Sequence, residues 1–248
     1  MASTRKKTTL RPKGKLRPIG TRQRITLRAI ALFNRYGIQN VSIDHIASDL
    51  KISPGNLTYH FKRKDDLIRE GLDVLKEQLR IALERPVAVS SPLDGAEYLI
   101  RVFRTLWDFR FFFNSLAYLL QDDRQLRKEY TEFRNWLVGM MESDLGYMVE
   151  RGLFLPPVAP NNFRLLSENI WGHFLNWLRL QQIETPSVAT PSKQAIYDAL
   201  QHLWSLCQLW MNPTFAKELL QVFQELLVPD QQTQKPGASP ARRVRKKA

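Results

Sequence analysis

Apolar residues recur at helical spacing along nearly the whole chain, and capping residues punctuate them. Ile25, Ala29, Leu32, Phe33 and Tyr36 share one face of a helix starting near Thr21, and Gly37 stands where a left-handed C-cap would end it. Ser42 is a suitable N-cap for a short second helix carrying Ile43, Ile46, Ala47 and Leu50 on one face. After the turn at Lys51 and Ile52, Ser53 caps a third helix with Pro54 in its first position, running to about Phe61. A fourth begins between Arg63 and Asp66, shows the stripe Leu67, Gly71, Leu72, Leu75, Leu79, Ala82 and Leu83, and stops at Pro86. The same grammar restarts at Ser91 and Pro92 and predicts helices over roughly 93–113, 114–120, 122–151, 162–182, 191–211 and 213–227. No segment alternates long enough to be a strand, so the predicted fold class is all-α.

The expected organisation is a basic arm over 1–19, which contains Pro12, Gly14 and Pro18 and lacks periodicity. A three-helix unit with its following helix occupies 20–80, a larger helical domain 81–228, and a disordered basic tail 229–248. The 248 residues carry a net charge of +13, and its placement matters more than its size. All of that excess lies in the two ends: residues 25–65 are modestly basic and 66–234 are acidic. A polyanion would be met by the first quarter and the tails, where each Lys or Arg neutralising a phosphate releases counterions. A lone cysteine, Cys207, excludes an internal disulfide framework. The basic N-terminus is not followed by the apolar run of a secretory signal, and the charge-free stretch 199–216 is too polar for a membrane span, so the cytoplasm is the expected location.

Two short helices joined by a tight turn, lying behind a basic arm, predict a helix-turn-helix over about 42–61. On an ideal helix, Phe61 and Pro54 project to the same side as Leu57, whereas Gly55 and Tyr59 project to the opposite side and Asn56 lies beside them. One side is therefore greasy, and the other displays Gly55, Asn56 and Tyr59 flanked by Thr58. Gly55 permits close backbone approach, Asn56 suits adenine edges or phosphate, and Thr58 suits a thymine methyl or a phosphate. Tyr59 and His60 are placed to donate to phosphates, and Lys62, Arg63 and Lys64 follow at a helix start where anions are favoured. No acid occurs from Ile52 to Lys64.

In these residues the chain resembles the TetR family of bacterial transcriptional regulators. The resemblance spans Thr21 to about Leu75 and is strongest over Ile52-Ser53-Pro54-Gly55-Asn56-Leu57-Thr58-Tyr59-His60-Phe61, followed by Lys64 and Leu67. It implies a DNA-binding set of Ser42, Ser53, Pro54, Gly55, Asn56, Thr58, Tyr59, His60 and Lys64, with Lys64 as a phosphate contact. The family usually has Tyr where Thr58 stands, so that backbone contact differs here. Arms such as 5–17 enter the minor groove in some members.

The resemblance further implies that the C-terminal two thirds hold a ligand pocket and a dimer interface built as a four-helix bundle. The last long helices look too apolar to be one-sided, which assigns Phe174, Trp177, Leu178, Leu200, Leu203, Cys207 and Trp210 to the interface. Trp107, Phe111, Phe112, Phe113, Tyr118 and Trp136 either surround an apolar or amphipathic small molecule or form an aromatic-rich core. Gly71 and Pro86 are candidate bending points of the fourth helix. His45, His60, His173 and His202 show no metal-ligand spacing, with Cys207 or among themselves, and no phosphate loop or nucleophile elbow occurs, so neither an enzyme nor a cofactor is expected. The expected function is a homodimeric DNA-binding regulator, more a repressor than an activator by family habit, released from duplex DNA by a small-molecule effector. The alternative is an architectural or partner-binding helix-turn-helix protein of the nucleoid with no metabolite ligand.

Overall fold

The computed structural model describes residues 20–84, 91–185 and 190–227; the arm over 1–19, the tail from 229 and Pro86 lie outside the described residues. Eleven α-helices follow one another among them: α1 (Thr21–Tyr36), α2 (Ile43–Leu50), α3 (Pro54–His60), α4 (Lys64–Ala82), α5 (Pro92–Asp108), α6 (Arg110–Asn114), α7 (Leu116–Gln121), α8 (Arg124–Glu150), α9 (Phe163–Glu184), α10 (Lys193–Cys207) and α11 (Pro213–Leu227). Side-chain caps start many of them. Ser42 accepts from the His45 N–H, Ser53 from Asn56, Ser91 from Asp94, Asp123 from Leu126, Asn162 from Leu165 and Ser192 from Ala195. Each satisfies an orphan donor and contributes about 1 kcal/mol.

Two boundaries depart from the periodicity. A single helix over 93–113 is expected, yet the backbone breaks at Phe109 (φ −115°, ψ 22°) and resumes as α6. The reason is a distant side chain: Asn34 of α1 donates through Nδ2 to the Asp108 carbonyl (2.7 Å) and accepts through Oδ1 from the Phe111 N–H (2.9 Å). One carboxamide thus satisfies two backbone groups at the break. Near the C-terminus, α10 stops at Cys207, a 3-10 turn spans Gln208–Trp210, and Met211 pairs antiparallel with Phe154. The Leu155 N–H donates to Trp210 O (2.6 Å) and the Asn212 N–H to Leu153 O (2.8 Å).

Helices α1 to α4 enclose a core of Ile25, Ala29, Phe33, Ile46, Ala47, Leu57, Phe61, Leu67 and Leu72, all buried. Helix α6 wedges against this unit. The Phe111 ring lies 5.4 Å from that of Phe33, and a Cβ on Gly71 would stand 3.4 Å from Phe111 Cζ. Gly71 thus lies beside Phe111 inside an unbroken α4, and the expected bending point is not seen there. Arg69 of α4 pairs with Asp123 and lies 3.8 Å from Glu129, tying α4 to the start of α8. The Leu126 N–H, and after it Arg69, holds the Asp123 carboxyl below its ordinary range.

Candidate nucleic-acid interface and internal cavity

Helix α3 lies on α2 with Leu57 and Phe61 fully buried, while Gly55, Asn56, Thr58 and Tyr59 face outward. Tyr59 is 85% exposed, an exposure for which the fold of one subunit offers no use. The Asn56 carboxamide makes no hydrogen bond among the described residues, and the space where a Gly55 Cβ would sit is open. The Thr58 hydroxyl donates back to the carbonyls of Pro54 (3.1 Å) and Gly55 (3.2 Å), so its methyl is the group left for a partner. Pro54, expected on the greasy side, is exposed in the first turn. Ser42 and Ser53 are caps, placing the two helices through their backbone. His60 is half-buried, its ring edge-on to Tyr59 at 5.2 Å.

The turn between α2 and α3 rests on Lys51, whose left-handed backbone (φ 56°) closes α2 by donating its N–H to the Ala47 and Ser48 carbonyls. Gly37 ends α1 at φ 80° and ψ 149°, outside the left-handed helical region expected of it but still at positive φ.

Lys64 requires a correction. Its ammonium is partly buried and donates to the carbonyls of Ile38 (2.9 Å) and Val41 (3.3 Å), pinning the loop that leads into α2. It is a strut of the three-helix unit, while its neighbours Lys62 and Arg63 are exposed. The first turn of α4 also holds Asp65 and Asp66, and Asp66 accepts the Arg63 N–H (2.9 Å), which weakens that helix start as an anion site.

Arg22 is a residue whose role periodicity does not reveal. It donates to the His60 carbonyl (2.9 Å) and to Glu70 (2.6 Å) and stacks 4.2 Å over the Phe61 ring, fastening the C-terminus of α3 to α1 and α4. Arg28 pairs with Asp49 through two nitrogens, joining α1 to α2, and the hydrogen bond from Arg28 holds the Asp49 carboxyl below its ordinary value. The polar face of α3 is thus held from behind by α1 and α4 while Asn56 and the Tyr59 hydroxyl stay uncommitted among the described residues.

This arrangement agrees with the comparisons to known proteins. Residues 25–70 match the model of bacterial regulatory proteins of the tetR family, and residues 73–219 match that of the TetR bacterial transcriptional repressor. The chain belongs to the TetR family of bacterial transcriptional regulators. A TetR-family regulator from Marinobacter aquaeolei VT8 is 28% identical, covering 83% of this chain and 98% of that one at a TM-score of 0.71. The ketosteroid transcriptional regulator KstR2 of Mycobacterium tuberculosis shares the fold at 18% identity, covering 78% and 96% of the two chains with a TM-score of 0.54. An HTH-type transcriptional regulator of Staphylococcus aureus strain USA300 is 44% identical over 57 residues, 21% of this chain and 31% of that one. The chain spans about a third of the length of the curated relatives it matches. TetR-family members are DNA-binding regulators and not enzymes. No helix among the described residues is long and apolar enough to cross a membrane.

In this TetR-family regulator a cavity of about 150 Å³ lies among α4, α5 and α8 to α11. Leu79 of α4 and Leu83 just past its end, Leu99 and Val102 of α5, Leu137 of α8 and Leu203 of α10 line it. The expected pocket residues are elsewhere. Trp107, Phe111, Phe112 and Phe113 are buried in an aromatic cluster with Phe33, Tyr130, Trp171 and Trp177, while Tyr118 and Trp136 are exposed. Aromatic rings packed edge to face at 5–6 Å fill space that a ligand would need.

The expected interface residues are also corrected. Phe174, Trp177, Leu178, Leu200, Leu203 and Cys207 are buried within one subunit, Phe174, Leu200, Leu203 and Cys207 in the cavity wall itself; Trp210 is half-buried against Phe163. Burial pushes the Cys207 thiol up to about 12. The outer stripe of α9 is Leu165, Asn169, Gly172, Asn176, Leu180 and Ile183, all exposed, and Leu206 and Leu209 at the end of α10 are exposed as well.

Proposed function

We propose that the protein is a cytoplasmic homodimeric repressor that binds a specific duplex through α3 and is released by a small molecule held in the cavity. The observation carrying this reading is the α3 surface: Gly55, Asn56, Thr58 and the 85% exposed Tyr59, braced from behind by Arg22 and Lys64. A braced helix with uncommitted polar side chains suits base-edge reading in a major groove. Self-association is supported by the exposed apolar side chains of α9 and the end of α10: Ile183 and Leu209, exposed by 69% and 83%, with Leu165, Leu180 and Leu206 also exposed. A two-fold dimer presents two α3 helices, as palindromic half-sites about 34 Å apart require. Effector release is supported by α4, which contributes Leu79 to the cavity, with Leu83 just past its end, while its other end, at Lys64, holds the loop before α2. A ligand that binds one orientation of α4 better than the other shifts the spacing of the pair.

Mobility shifts of the full chain on fragments of its host genome, at two salt concentrations, test the reading. A few palindromic winners are expected, with Asn56→Ala relaxing preference among sequences and Lys62→Ala weakening all of them alike. Uniform retention of every fragment with a steep salt dependence would make the protein architectural and refute the proposal.

A further inference from the structure

The wall of the cavity limits what can occupy it. Its lining includes Leu99, Val102, Leu137, Met141, Phe174 and Leu203, no lysine, arginine or histidine belongs to it, and the surface it presents to the space is apolar throughout. Asp144 is the single acidic residue of the lining, and its Oδ2 accepts the Tyr98 hydroxyl at 2.8 Å without turning an oxygen to that space. The Cys207 thiol stays protonated, its pKa raised to about 12 by burial. An anionic ligand entering here would shed its hydration and meet no basic side chain, and Asp144 turns no oxygen into the space to meet a cation. The volume, about 150 Å³, is of the scale at which apolar cavities accept benzene. Met141, Met148 and Met211 in the wall allow it to adjust to somewhat longer molecules.

We infer that the cavity binds an uncharged, hydrocarbon-like ligand of about six to ten carbons, a monoaromatic or a short alkyl derivative of one. This rests on the reading of the cavity as the effector site, and it specifies the chemistry of that effector.

The test uses the full chain and four probes, toluene, n-butylbenzene, benzoate and benzylammonium, followed by calorimetry and by the fluorescence of Trp171 and Trp204, both in the wall. Toluene and n-butylbenzene should bind at least about 100-fold tighter than benzoate or benzylammonium, whose charge must be desolvated. Val102→Phe, which fills the cavity, should weaken toluene at least about tenfold, since an overfilled site leaves no room for the ring. If that variant does not fold, Leu203→Ala enlarges the cavity and should move preference from toluene towards n-butylbenzene. Equal binding of the charged probes, or a folded Val102→Phe protein that still takes toluene at full strength, overturns the inference. DNA retention is measured separately. Toluene binding without release of DNA would remove the effector role proposed above while upholding the ligand class.

Discussion

Asn34 offers a direct test of how the four N-terminal helices are held to the rest of the molecule. Its carboxamide makes the two hydrogen bonds that span the Phe109 break, 2.7 Å to Asp108 O and 2.9 Å from Phe111 N, and it is partly buried between α1 and α6. Asn34→Ala removes both and leaves a carbonyl and an N–H without a protein partner. A net hydrogen bond contributes about 1 kcal/mol and a stranded buried group costs about 1–3 kcal/mol. Partial access of water to the site puts the expected loss at about 2–3 kcal/mol. Urea unfolding at fixed protein concentration reads this as a fall in midpoint of about 1 M, with the slope unchanged, for a slope of about 2–3 kcal/mol/M. Asn34→Asp, which still accepts from Phe111 but no longer donates to Asp108, should lose more than Ala, since its carboxylate is set against a carbonyl oxygen. A loss below about 0.5 kcal/mol for Ala would show that the break is made by local sequence and that Asn34 merely occupies it.

Three further outcomes are expected. Lys51→Gly relieves the left-handed backbone at φ 56° and should raise stability by up to about 1 kcal/mol in thermal unfolding; a decrease would mean that the Lys51 stem packs usefully against α2. Gly71→Ala places a methyl at ordinary contact distance from Phe111 and should stabilise α4 by about 0.5–1 kcal/mol while leaving effector release of DNA unchanged; loss of release would restore Gly71 as a bending point. The His173 imidazole, half-buried on α9, is held below its ordinary pKa by burial, with a smaller push from the His202 ring 5.9 Å away, and its Nε2 meets the Ala199 carbonyl at 3.1 Å. A lowered folded pKa stabilises the neutral ring, so the contribution is complete above about pH 6.5 and is lost as pH falls through the folded value. Unfolding midpoints measured between about pH 7.5 and 5 should therefore drop more for the parent than for His173→Gln; parallel curves would exclude this histidine.

Local chemistry in the chain is sufficient to specify the helices and the face that α3 presents. Ser42, Ser53 and Ser91 cap where capping residues should, and Leu57 and Phe61 turn inward while Asn56 and Tyr59 turn out, because backbone satisfaction and helical period act over a few residues. Charge separation along the chain is equally local and points to the same quarter. What required the tertiary structure is every role set by a partner distant in sequence. Lys64 looks like any basic residue at a helix start until the carbonyls of Ile38 and Val41 are brought to it, and Arg22 looks like one more exposed cation in the first turn of a helix until α3 and α4 pack against it. The α5–α6 break, the position of the cavity and the sorting of aromatic residues into core follow the same rule. Periodicity tells that a helix has a buried face, but whether that face meets its own subunit, an empty space or a second chain depends on how helices far apart in sequence cross.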